Sequence, residues 1–129
     1  MPQLHDLHAG HDVLTTSVTL DAHWLATYRA VIGAPTASDA VAPPLALVAR
    51  AMDELIKAVA LPPGTVHSAQ SCQSFAAVSA VDTVQMCWTV SRSTRRAGAL
   101  FVNLDLDVRR AGKQVLTGKT SLIVPGERA

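Results

Sequence analysis

Apolar positions along this chain follow two rhythms, and the change from one to the other falls at Gly64. Upstream, Val13 to Leu20 alternates and is rich in β-branched residues, so it reads as a first strand. Trp24, Leu25, Tyr28 and Ile32 then recur at helical spacing, with Asp21 as a natural N-cap and Gly33 as a natural stop. Ala34 to Ala42 is a loop. Pro43 and Pro44 open the longest helix, Leu45 to about Ala60, since a first helical turn does not miss proline's absent N–H. The expected buried stripe is Leu45, Val48, Met52, Leu55, Ile56 and Val59, and Leu61-Pro62-Pro63-Gly64 ends the helix.

Downstream of Gly64 the period drops to two and stays there. Strands are expected at Val66–Val78, Thr83–Arg95, Ala99–Arg109 and Gln114–Val124. Val84, Met86, Trp88 and Val90 share one face of the second of these, and Leu100, Val102, Leu104, Leu106 and Val108 one face of the third. Leu116, Leu122 and Val124 point inward from the last, and Arg96-Ala97-Gly98 and Ala111-Gly112-Lys113 are short links with turn residues. The order is strand, short helix, long apolar helix, then four strands expected to form an antiparallel meander. One long helix against a five-stranded antiparallel sheet is an α+β layout. The alanine-rich helix is apolar on more than one side, as if the sheet wraps around it. A flexible start (1–12), one domain (13–125) and a short tail (126–129) complete the expectation.

Composition narrows the function classes. A chain of 129 residues makes about one domain, and its 49% apolar content suggests surface given over to a subunit interface or an apolar ligand tunnel. Net charge is +1, with no basic cluster beyond Arg95-Arg96 and Arg109-Arg110, which argues against nucleic acid. Val41 to Arg50, the longest apolar stretch, is far short of the ~20 residues of a membrane span. The opening MPQLHDLHAGHD lacks the apolar run of a secretory signal, and Cys72 and Cys87 have no CxxC partner. A cytoplasmic protein with reduced thiols is expected. His5, His8 and His11, with Asp6 and Asp12 nearby, form neither an i, i+4 pair nor a closed set of four, so no metal site is expected.

Three strings resemble a known family. TYRAVIG at 27–33 resembles the Tyr-x-x-x-x-Gly that precedes the active loop of MaoC-like enoyl hydratases and dehydratases. APPLAL at 42–47 is similar to the start of the central helix in their N-terminal, dehydratase-like halves. VHSAQSCQSFAAVSAVDTVQM at 66–86 resembles the family's His-x-x-Gln, an aromatic, then Pro-Leu-x-x-Gly-Asp. Asp82 keeps the acidic position there, while Ala77 replaces the proline and Val81 the glycine. The resemblance spans roughly Val18 to Pro125. It implies the hotdog fold, a five-stranded antiparallel sheet wrapped around a long central helix, and an acyl thioester in a tunnel at a dimer interface. The carrier would be coenzyme A or an acyl carrier protein, so the coenzyme or its phosphopantetheine arrives as part of the substrate and no separate cofactor is expected. The implied partner is a second hotdog subunit, identical or different.

The implied chemistry is reversible addition of water to a 2-enoyl thioester. It requires an acid/base pair and polarisation of the thioester carbonyl, commonly by a backbone N–H at the start of the central helix. Competent members draw the pair from Asp-x-Asn-Pro-x-His after the Tyr…Gly string. This chain has Gly33-Ala34-Pro35-Thr36-Ala37-Ser38-Asp39 there, with Ala34 in place of the Asp and no His. The family also contains halves or subunits that have lost the pair and shape the tunnel of a catalytic partner, and this sequence reads most like those.

Alternatives stay open. His67 with Asp39 is one non-standard acid/base set for a dehydratase; a central-helix acid, Glu54 or Asp53, would serve a hotdog thioesterase; a ligand-binding or assembly protein without turnover is the third. Tyr28, Pro43, Pro44, His67 and Gln70 are the candidate substrate-binding residues.

Overall fold

The structure, a computed structural model, describes residues 3–32 and 41–126. Its elements run β1 (Asp12–Thr19), α1 (Ala22–Ile32), α2 (Pro44–Ala58), β2 (Val66–Ser74), β3 (Thr83–Arg96), β4 (Ala99–Arg110) and β5 (Lys113–Pro125). One antiparallel sheet holds all the strands in the order β1-β3-β4-β5-β2. The expected four-strand meander is therefore corrected: β3, β4 and β5 form one, but β2 crosses to the far side and pairs with β5. β2 is also shorter than expected, because the chain leaves the sheet after Ser74 and the stretch to Val78 packs beside the start of α2.

The local rules act as read. Asp21 caps α1, its carboxylate accepting the His23 N–H at 2.8 Å. Pro43 is the N-cap of α2 and Pro44 its first residue. The β3–β4 and β4–β5 links are two-residue turns with both residues in the left-handed region: Ala97 and Gly98 (φ 49° and 78°), then Ala111 and Gly112 (51° and 79°).

The core lies between α2 and the inner face of the sheet. Leu100, Val102, Leu104, Leu106 and Val108 of β4 are all buried, as are Val84, Met86, Trp88 and Val90 of β3 and Leu116, Leu122 and Val124 of β5. Trp88 fastens the layers, its indole N–H donating to the Ala51 carbonyl in mid-helix at 3.0 Å. The buried stripe of α2 is Leu47, Val48, Ala51 and Leu55, rotated from the expected one. Leu45 and Ile56 are 57% and 52% exposed, and Met52 is half-buried. With Ala49 they make a second apolar stripe at i, i+4, i+7 and i+11, turned away from the sheet.

The opening segment, expected to wander, is docked instead. Leu4 and Leu7 enter the core, and Leu4 N–H donates to the Ala60 carbonyl just past α2. Apolar contact there outweighs the polar character of the intervening residues. In α1, Leu25 is buried and Trp24 stacks on Tyr28 with ring centroids 5.6 Å apart. Arg29 is 2% exposed and donates to the Val41 carbonyl, tying the end of α1 to the approach of α2.

Candidate functional site

The sheet is wider than the helix that covers it. Along β2, the register places His67 opposite Leu122, Gln70 opposite Thr120, Cys72 opposite Gly118 and Ser74 opposite Leu116. Paired residues in an antiparallel ladder share a face, so these four side chains lie on the inner face, level with the core. They are nevertheless exposed (His67, Ser74) or half-buried (Gln70, Cys72).

His67 and Gln70 come together there, as the His-x-x-Gln spacing suggested. A bulge between His67 and Ala69 keeps both on the inner face despite their odd separation. His67 Nε2 lies 3.1 Å from Gln70 Oε1. The same oxygen accepts the hydroxyl of buried Thr120 at 2.5 Å, while Gln70 Nε2 donates to the Ser71 carbonyl at 2.9 Å. An amide oxygen only accepts, so His67 must carry its proton on Nε2 to make this bond. In the neutral imidazole Nδ1 then presents a lone pair, as a ligand-facing acceptor requires. Thr120 was missed in the sequence; its only signal is a hydroxyl in an otherwise apolar inward row.

At the other end of β2 a cleft of about 340 Å³ opens where the strand leaves the sheet. Val41, Pro44, Leu47, Ser74, Phe75 and Val78 line it. It adjoins the start of α2, whose first N–H comes from Leu45 because Pro43 and Pro44 have none. The start of α2 borders this apolar cleft through Pro44 and Leu47, and the Ala46 and Leu47 N–H groups are taken by the Pro43 carbonyl. Of the expected substrate-binding residues, Pro44 lies in this cleft and Pro43 immediately precedes it; His67 and Gln70 lie at the opposite end of β2, and Tyr28 packs on Trp24 in α1.

The candidate acids stand elsewhere. Glu54 is engaged by Arg50 one turn back at 2.5 Å, with Lys57 at 3.9 Å. Asp53 is exposed on the same helix, and Asp39 lies outside the described residues, as do all of 33–40. Asp82 holds the turn before β3: it accepts the Ser79 N–H at 2.9 Å and Arg110 at 3.1 Å. Val81, where the family pattern has glycine, adopts φ 66° and is 76% exposed. The backbone keeps a glycine conformation without the glycine.

Cys72 and Cys87 are free thiols, both half-buried. Among the described residues no group of three His, Cys, Asp or Glu side chains is placed to hold a metal. His8 and His11 stack at 5.9 Å, and His11 Nδ1 accepts the His8 backbone N–H. Among the described residues no helix is long and apolar enough to cross a membrane.

Comparison with solved structures decides the architecture. A MaoC-like dehydratase from Rhodospirillum rubrum superposes with a TM-score of 0.76 over 100% of both chains at 16% identity. The chain has the hotdog fold. The unliganded (R)-hydratase PhaJ1 from Pseudomonas aeruginosa matches this hotdog chain with a TM-score of 0.72 and 19% identity, over 95% of this chain and 85% of the other. The HadBC (3R)-hydroxyacyl-ACP dehydratase complex from Mycobacterium tuberculosis matches at 0.69 and 17%, over 91% and 97%. No family model and no curated protein matches the sequence. At these identities the likeness belongs to the backbone: the hotdog layout is shared, and the site must be judged on its own residues.

Proposed function

We propose that this chain is an acyl-thioester-binding hotdog protein of the MaoC-like hydratase/dehydratase family that serves as a non-catalytic partner of a catalytic hotdog subunit. The observation that carries the proposal is the 33–39 string, where Ala34 and Pro35 stand in the place of proton-transferring groups. Its counterpart in the fold is that two of the remaining candidates are otherwise engaged: His67 with Gln70, Glu54 with Arg50. The binding apparatus is kept. An apolar cleft meets the start of α2, and His67 offers an acceptor at the sheet edge.

The unpaired edge strand β2 and the exposed stripe Leu45, Ala49, Met52 and Ile56 are the surfaces a second subunit would cover. The similarity to one chain of a hydroxyacyl-ACP dehydratase complex supports that assembly. The thioester's phosphopantetheine arm, with its amide N–H donors, is the part of the ligand suited to His67 Nδ1.

Calorimetric titration of crotonyl-CoA into the pure protein tests the binding half. Saturable binding that a Phe75→Glu change in the cleft abolishes is expected. No heat beyond dilution, with or without a second hotdog subunit, would refute it.

A further inference from the structure

The outer face of the sheet carries a second groove, unrelated to the thioester reading. It has a volume of about 350 Å³ and lies across β3, β4, β5 and the bulged start of β2. Arg92, Thr94 and Arg96 of β3, Phe101 and Asn103 of β4, and Ser121 of β5 line it. The register puts them together: Arg92 is opposite Asn103, Thr94 opposite Phe101, and Asn103 opposite Ser121. These positions alternate with the buried Val102 and Leu104, so they face outward.

Hydrogen bonding in the groove is lopsided. Ser121 donates to Asn103 Oδ1 at 2.9 Å, which fixes the amide with its NH₂ turned to the groove. The Asn103 carbonyl accepts Ser91, and the Ser121 carbonyl accepts Ser68. The acceptors are thus used within the protein, and donors are left facing out. No carboxylate lines the groove. Among the described residues neither Arg92 nor Arg96 makes an ion pair, whereas Arg50, Arg109 and Arg110 each do.

Arg96 is also positioned, its guanidinium lying 5.4 Å from the centroid of the Phe101 ring. A guanidinium placed over a ring face keeps N–H groups for a ligand, and its fork matches phosphate oxygens two at a time. Arg92 and Arg96 sit about 13 Å apart along the strand, within reach of one ligand seated over Thr94.

The neighbouring depression shows what a neutralised surface looks like in this sheet. Asp105, Asp107 and Lys119 share it, and Asp107 is bonded by Arg109 and Gln114. Among the described residues, the Arg92–Arg96 groove gathers donors and positive charge with no carboxylate in its lining.

We infer that the outer-face groove binds the phosphoryl group of a small phosphorylated molecule, with Arg92 and Arg96 as its charged ligands and Asn103 as a neutral donor. The test is a titration of isotope-labelled protein with inorganic pyrophosphate, following backbone amide shifts. Saturable shifts are expected at Thr94, Phe101, Asn103 and Ser121, with affinity falling roughly tenfold in Arg92→Ala and again in Arg96→Ala. Sodium chloride at matched ionic strength and succinate are run beside it. Equal shifts with chloride, equal affinity for succinate, or unchanged pyrophosphate affinity in the double variant would overturn the inference. Both arginines are exposed, so the variants keep the fold, and the far amides of β1 report that directly.

Discussion

The inner face of this sheet is two surfaces. On β4 every inward residue from Leu100 to Val108 is apolar and buried beneath α2; on β2, the inward residues are His67, Gln70, Cys72 and Ser74, and none is buried. The ladder geometry is the same, so the difference lies in the side chains, apolar along β4 and polar or small along β2. Here the edge keeps polar side chains ordered by a hydrogen-bond relay to the buried Thr120.

Truncation should separate the two surfaces most sharply. Leu104→Ala removes a fully buried side chain and should cost about 2–5 kcal/mol in urea denaturation. His67→Ala, on the same face at the exposed edge, should cost less than about 1 kcal/mol. Comparable losses would erase the distinction.

The next largest effect concerns assembly rather than folding. If the exposed stripe of α2 is the subunit contact, Leu45→Glu combined with Ile56→Glu should leave a folded monomer where the unaltered chain self-associates, in analytical ultracentrifugation. A dimer that survives both changes would move the subunit contact elsewhere.

Val81→Gly tests whether the turn before β3 carries strain. A β-branched residue at φ 66° costs about 1–2 kcal/mol, and little burial is lost at an exposed site, so the variant should be more stable by about 1 kcal/mol. A less stable variant would mean that Val81 contributes contacts that outweigh its backbone cost.

The smallest effect lies on the outer face. Partial burial pushes the Asp107 carboxyl up, but hydrogen bonds from Arg109 and Gln114 and the Arg109 charge outweigh it and hold the group below its usual range. A carboxyl held low stabilises the fold above its unfolded pKa and loses that contribution as pH falls through the folded value. Asp107→Asn should therefore cost about 0.5 kcal/mol or less at neutral pH, and the gap should close below pH 3.8. A gap that widens in acid would reverse the sign of the argument.

How far the sequence could be read tracks the same division. Strict alternation named the inward faces of β3 and β4 residue by residue, because a strand packed on one side has no other way to bury its apolar groups. Periodicity says nothing of neighbour order, so the crossing of β2 to β5 was not legible, and neither was the meeting of Gln70 with Thr120. The stripe of α2 was rotated because the helix has two apolar sides, and size alone favoured Leu45 and Ile56 over Ala46 and Ala51. Burial of Leu4 and Leu7 was hidden by the histidines around them, though their i, i+3 spacing was a signal. The His-x-x-Gln pair was legible as a spacing, but the tautomer it imposes needed the third member.

The central claim is that this hotdog chain holds a thioester without turning it over alone. It is tested most directly by following hydration of crotonyl-CoA with the pure protein, then with a catalytic hotdog subunit added. The account predicts no hydration above the uncatalysed rate by the chain alone, and a faster reaction in the mixture than with the catalytic subunit by itself. Hydration by the pure chain that His67→Ala abolishes would contradict it and make His67 a catalytic residue.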